Sequence, residues 1–94
     1  METKFLKINP ADNVAVAIVN LPAGESLSVD GIDITLNEDV PAGHKFALKD
    51  FAEGEDIIKY GYPIGHAKMA KRQGDWMNEN NIKTNRAGLL EYTY

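Results

Sequence analysis

The stretch VPAGHKFALKDFAEGEDIIKYGYPIGHA, Val40 to Ala67, decides the fold. It opens on a Pro-Ala-Gly turn, Val40-Pro41-Ala42-Gly43-His44, and runs into Lys45-Phe46-Ala47-Leu48-Lys49. Phe46 and Leu48 share one face of that segment, and the lysines share the other, as in a strand with one buried side. Ala52-Glu53-Gly54-Glu55 is a second turn of the same style, and Ile57-Ile58-Lys59-Tyr60 is the strand it leads into. Short apolar runs punctuated by Gly and Pro predict a compact, mostly β domain.

The device recurs on both sides. Upstream, Val14 to Val19 is β-branched and apolar throughout, which predicts a strand buried on both faces. Leu21-Pro22-Ala23-Gly24-Glu25 nearly copies the turn at Val40. Asp30-Gly31, between Val29 and Ile32, is a hairpin signal, and Ile32-Asp33-Ile34-Thr35-Leu36 alternates like a half-exposed strand. Downstream, Gln73-Gly74-Asp75 precedes Trp76-Met77 as a fourth turn. The spacing of these turns is irregular and shows no solenoid period, so it predicts a recurring turn-then-strand unit and not a repeat. Ala67 to Gln73 has room for two helical turns at most. Leu90, Tyr92 and Tyr94 fall on one face of a possible last strand.

Bulk properties narrow the function. The chain has 94 residues, which predicts one domain over 1–94. It is 44% hydrophobic and 26% charged, ordinary for a globular protein. A net charge of -4 without a Lys/Arg run argues against nucleic acid. There is no cysteine, which removes disulfides and thiolate chemistry and fits a reducing cytoplasm. The longest apolar run is far below the roughly 20 residues of a membrane span, and METKFLKINP lacks a signal-peptide core.

Candidate chemistry centres on few residues. His44, after its turn, offers a general acid/base, a carboxylate binder or a metal ligand. A surface turn histidine is the competing reading, and the same choice applies to His66. Lys45, Lys49 and Lys59 are candidate anchors for an anion, although a solvated strand face explains lysines more economically. Tyr60 and Tyr62 either line a pocket or pack an edge. Asn78-Glu79-Asn80-Asn81 and Lys83-Thr84-Asn85 carry amides and hydroxyls dense enough to bind a polyol or sugar acid; an exposed turn is the simpler account. Asp50, Glu53, Glu55 and Asp56 are expected in solvent around their turn.

These residues also resemble a family. Pro41-Ala42-Gly43-His44-Lys45 with Ala47-Leu48, Gly54-Glu55, Ile58-Lys59-Tyr60-Gly61 and Ile64-Gly65 look like the small N-terminal domain of altronate dehydratase and its galactarate dehydratase relatives. The likeness continues through Gly74-Asp75-Trp76 and Asn81-Ile82-Lys83-Thr84 to Leu89-Leu90-Glu91-Tyr92. The resemblance implies a SAF domain with a β-clip fold and a sugar-acid hydro-lyase that leaves a 2-keto-3-deoxy acid. It implies a divalent metal, usually iron, held mainly by a large domain, with the metal ligands of this chain unknown. Fused members continue beyond the position of Tyr94, so a free-standing small subunit with a large catalytic partner is expected. In that reading His44 is catalytic. Lys45 and Tyr60 contact the sugar acid, and Asn78, Asn80, Asn81 and Thr84 contact its hydroxyls. The family usually has His-x-His-Asn where Asn78, Asn80 and Asn81 stand, and an apolar residue where Lys71 stands. Asparagine does not shuttle protons near neutral pH and is a poor iron ligand. Two alternatives accompany this reading: the small subunit of a sulfolactate sulfo-lyase-like enzyme, and a non-catalytic SAF module for binding or assembly. Exposed edge strands leave a homodimer open.

Overall fold

The computed structural model describes residues 3–78 and 82–84. Its described residues form nine strands and no helix: β1 (Phe5–Leu6), β2 (Val14–Ala17), β3 (Ser26–Val29), β4 (Ile32–Thr35), β5 (Lys45–Ala47), β6 (Asp56–Lys59), β7 (Tyr62–Ala67), β8 (Trp76–Met77) and β9 (Ile82–Thr84). A central antiparallel sheet has the order β1-β2-β5-β8, flanked by the β3-β4 hairpin and by a β6-β7-β9 sheet. The mostly β expectation holds. The last expected strand face, Leu90, Tyr92 and Tyr94, lies outside the described residues.

The central sheet is buried on both faces because each hairpin covers one. Ala15, Ala17 and Phe46 pack against Leu21, Leu27, Val29, Ile34, Leu36 and Val40 of the first hairpin and its turns. Val14, Ala47 and Met77 pack against Phe51, Ile57 and Ala67 of the second. The alternation along β2 sends neighbouring residues to different cores. Its burial stops at Ala17: Ile18 and Val19 are 41% and 44% exposed, so the doubly buried run is shorter than its composition predicts.

Four turns of one design lock the strands. In each, a glycine adopts a left-handed φ (Gly24 88°, Gly43 86°, Gly54 86°, Gly74 92°), and the next residue donates its N–H to the carbonyl three residues back. Each turn then clamps one strand end. Gly24 N–H donates to Leu36 O at 2.8 Å, and Leu36 N–H donates to Glu25 O at 2.9 Å. Gly43-His44 holds Ala17 in the same way, Gly54-Glu55 holds Ala67, and Gly74-Asp75 holds Ala47. The first turn bridges the second through Leu21 and Val40, and the third bridges the fourth through Phe51 and Lys71. That second bridge, with bonds of 2.7 and 2.9 Å, occupies the stretch where two helical turns had room.

The molecule is therefore two copies of one unit. In the first hairpin Leu27 faces Ile34 and Val29 faces Ile32; in the second Ile57 faces Gly65 and Lys59 faces Tyr62. A register shift after Ile57 inserts one extra residue, Ile64, into β7. Gly54 follows Gly24 by 30 positions, whereas Gly74 follows Gly43 by 31. The turns read as irregularly spaced because each unit holds two of them, so the four glycines stand 19, 11 and 20 positions apart, and the one-residue bulge adds the difference between 19 and 20. Chain order hides the repeat, and hydrogen bonding displays it.

Candidate functional site

The two units diverge at their turns and at their hairpin tips, and of the expected site residues His44 lies in one such turn and Tyr60 at one such tip. Pro22 and Pro41 have no N–H, whereas Ala52 and Arg72, at the matching positions, do. Those amides are capped from within the turn: Ala52 N–H donates to Glu55 Oε1 at 2.9 Å and Arg72 N–H to Asp75 Oδ2 at 2.8 Å. His44 occupies the capping position of a turn that has no such donor to cap. The Ala42 N–H goes to Asn20 Oδ1 at 2.9 Å. The imidazole is exposed and leans edge-on against Trp76, with ring centroids 5.2 Å apart at 89°. A histidine so placed is accessible for proton transfer or anion contact.

Lys45 follows in β5, opposite Val16 on one side and Met77 on the other. That register turns it toward the second core, and burial pushes its ammonium pKa down. Lys59 is more extreme. It stands in β6 where the first unit has Val29, and it is 3% exposed. Its pKa is pulled from 10.5 to about 8, first by burial and then by the positive charge of Lys45, with Asp12 opposing. Only Lys49, in an exposed ion pair with Glu55, behaves as a solvated-face lysine. The solvated reading is thus corrected for Lys45 and Lys59. Inward alternation from Ile57 was the available signal: Ile57 and Lys59 share the buried face of β6.

Asp12 was not singled out by sequence, because nothing local marks an Asp before Asn13 as buried. It is 6% exposed. Its Oδ2 accepts from Asn9 N–H at 3.0 Å and its Oδ1 from Gly61 N–H at 2.8 Å. Asn13 adds two more bonds, accepting from Ile58 N–H at 2.7 Å and donating to Asp56 O at 3.0 Å. The 12–13 segment therefore fixes the β6-β7 tip beside the central sheet.

Tyr60 forms that tip with Gly61, at φ 57° and 78°. The first hairpin uses Asp30 and Gly31, at 53° and 82°. Asp tolerates the left-handed region; a bulky tyrosine there costs about 1–2 kcal/mol. The Lys59 ammonium lies 4.8 Å from the Tyr60 ring centroid, a cation–π distance. The same ring, 39% exposed, lines a groove of about 230 Å³ with Leu6, Ile8, Val16, Ile18 and Gly43.

The remaining expected residues divide. Asn78 is half-buried directly after β8, so it leaves the sheet at the end where His44 enters β5. Thr84 pairs with Gly65 on the far side of β7 from β6. His66 faces Asp56 at the opposite end of the hairpin from Lys59. Asn80 and Asn81 lie outside the described residues. Among the described residues no three His, Asp or Glu side chains come together as metal ligands. This part of the chain does not fit a complete iron site.

Comparison with known proteins agrees with the turn-and-strand wording. Residues 3–85 match the altronate/galactarate dehydratase SAF domain. The chain is 45% identical to the altronate dehydratase of Escherichia coli K12 over 97% of its own length, but that covers 18% of the relative. It is 39% identical to the altronate dehydratase of Bacillus subtilis, again over 18% of that protein. It is 38% identical to the (2R)-sulfolactate sulfo-lyase subunit alpha of Chromohalobacter salexigens, spanning 92% of this chain and 99% of that subunit. With most of its length matched, this chain belongs to the SAF-domain family of the altronate and galactarate dehydratases.

Proposed function

We propose that this chain is the small subunit of a cytoplasmic hydro-lyase that eliminates water from a sugar acid to leave a 2-keto-3-deoxy acid, working with a large catalytic partner. The observation that carries the reading is the His44-Lys45 pair at the mouth of β5, in a chain 45% identical to an altronate dehydratase. Abstracting a proton beside a carboxylate builds charge on the carboxylate oxygens. A half-buried ammonium at Lys45 opposes that charge, and the exposed imidazole of His44 is free to exchange a proton with the substrate. Asn78, at the same end of the sheet, supplies an amide for a hydroxyl, a role in which Tyr60, Asn80, Asn81 and Thr84 join on the family resemblance. The iron that the resemblance implies is assigned to the large partner, and no step here passes through it.

Co-expression with a large chain, followed by assay of altronate and galactarate for 2-keto product, tests this. His44→Asn is expected to lower kcat by about 10²-fold or more, the ordinary weight of a positioned acid/base. A well-formed pair that turns over neither acid refutes the reading. The relative matched over 99% of its length is a sulfo-lyase subunit, which favours a second reading for the same site. There the acid is sulfolactate and the leaving group sulfite, so sulfite release separates the two.

A further inference from the structure

The second turn of each unit ends on a side chain that is held, but by different means. Asp75, in the second unit, is held on both oxygens: Oδ2 accepts from Arg72 N–H at 2.8 Å and Oδ1 from Asn37 Nδ2 at 2.8 Å. His44 stands at the matching place in the first unit, and its ring meets the Trp76 ring edge-on at 5.2 Å. A hydrogen bond orients an imidazole by spending one of its two nitrogens. A ring contact orients it without that cost, because edge-to-face pairs have a preferred geometry of their own.

Trp76 is itself fixed in three ways. In β8 it is the register partner of Phe46, two residues along from His44. The indole and the imidazole are therefore diagonal neighbours across the β5-β8 pair, within reach for aromatic side chains. The Trp76 side chain is half-buried and packs against the first core. Its backbone N–H donates to Glu38 Oε2 at 3.0 Å, and Asn37 N–H donates to Gly74 O at 3.0 Å. Asn37 and Glu38 belong to the connector that leads through Val40 into the turn of His44. One short segment thus fixes the two rings relative to each other.

We propose that Trp76 is the positioning residue of His44: it holds the imidazole in one orientation at the mouth of β5, with Glu38 fixing the strand end from which the indole projects. This rests on the lyase reading for the acid/base task of His44 and adds the group that aims it.

The test uses the full 94-residue chain with 13C- and 15N-labelled histidine, the His44 signals being those that His44→Asn removes. Wild type is expected to show nuclear Overhauser effects between the His44 ring and the indole protons, and coupling constants of a single χ1 rotamer. Trp76→Leu is expected to spread His44 over several rotamers while the amide shifts of β5 stay in place. Trp76→Phe, which keeps a ring, retains the single rotamer. Glu38→Ala gives a smaller spread, and Glu38→Gln, whose amide oxygen still accepts the Trp76 N–H, gives none. In the pair reconstituted with a large chain, Trp76→Leu is expected to lower kcat about 10- to 100-fold at nearly unchanged KM, the scale of a misplaced catalytic group, and Trp76→Phe to stay within about threefold of wild type. Averaged rotamers in the wild-type chain overturn the proposal, and that measurement needs no variant to fold. A folded Trp76→Leu chain with His44 still in one rotamer overturns it too, as does an equal kcat loss in Trp76→Phe. A pair that turns over neither acid while His44 is held as described sinks the lyase reading alone; a pair that turns over with His44 averaged sinks this inference alone.

Discussion

The β3-β4 and β6-β7 hairpins are the same device with opposite interiors. The first is regular, closes on Asp30-Gly31 and buries Val29. The second carries a bulge, closes on Tyr60-Gly61 and buries Lys59. The first half follows local preference at each of these points: apolar inside, a tolerant residue in the tight turn, an unbroken register. The second departs from all three between Ile57 and Ile64. Departures from local preference concentrate where a protein binds something.

Exchanging the interiors should give the largest effects. Val29→Lys puts a cation into a core with no Asp12 beside it, and is expected to cost about 3–5 kcal/mol in urea unfolding, the scale of an uncompensated buried charge. Lys59→Met should move the other way, raising stability by up to about 3 kcal/mol, the free-energy equivalent of its lowered pKa. Equal losses from both changes would show that the halves do not differ as described. The sign with pH follows. Folded Lys59 loses its proton near 8, and the unfolded lysine near 10.5. Between those values the unfolded chain binds more protons, so stability rises with pH across that window. Below pH 8 the penalty is fully present. The difference between wild type and Lys59→Met should therefore shrink from pH 8 to 10.5, as measured by denaturant midpoints.

The seam between the halves comes next. A Cβ at Gly74 would lie 2.2 Å from Thr35 O of the first hairpin, and its φ is 92°. Gly54, in the paired turn, has open space around it at φ 86°. Gly74→Ala is expected to cost about 2–3 kcal/mol, and Gly54→Ala nearer 1 kcal/mol. Thermal melts of the two variants read the difference between a turn that only bends and one that also interlocks.

Hairpin tips should respond less. Tyr60→Asn relieves a disfavoured backbone and is expected to gain about 0.5–1 kcal/mol, while Asp30→Tyr should lose a similar amount. If Tyr60→Asn destabilises, ring packing over Lys59 outweighs the backbone cost.

What was legible in the sequence follows the same division. Val14 to Ala17, Asp30-Gly31 and the four glycine turns announce themselves, because burial on both faces and left-handed turns each demand particular residue types. The repeat did not, since each unit holds two turns of one design, which leaves the four glycines 19, 11 and 20 positions apart, and Ile64 adds one further position to the second half. Lys59 and Asp12 did not either. A lysine is read as solvated unless its strand partners are known, and an aspartate's burial depends on amides at Asn9 and Gly61, the second far away in the chain. His44 was legible as a turn residue; its release from capping shows only once Pro41 is seen to remove the donor.

That release gives the smallest and most specific comparison. Glu25 and Glu55 hold matching positions in the first and third turns. Glu55 pairs with Lys49 and caps Ala52 N–H, and these two, the lysine first, hold its carboxyl below the usual range. Glu25 has Pro22 in place of that donor and reaches Lys4 at 2.6 Å instead. Glu55→Ala is expected to cost about 1 kcal/mol, as loss of a backbone cap does, and Glu25→Ala under about 0.5 kcal/mol, as for an exposed ion pair. Adding Ala52→Pro to Glu55→Ala removes the orphaned donor and should recover part of the loss. The Glu55 share should fade as pH falls through its lowered pKa, because the cap then becomes a neutral acid. Recovery by proline would show that the capping position became available for a histidine at residue 44 because residue 41 no longer needed it.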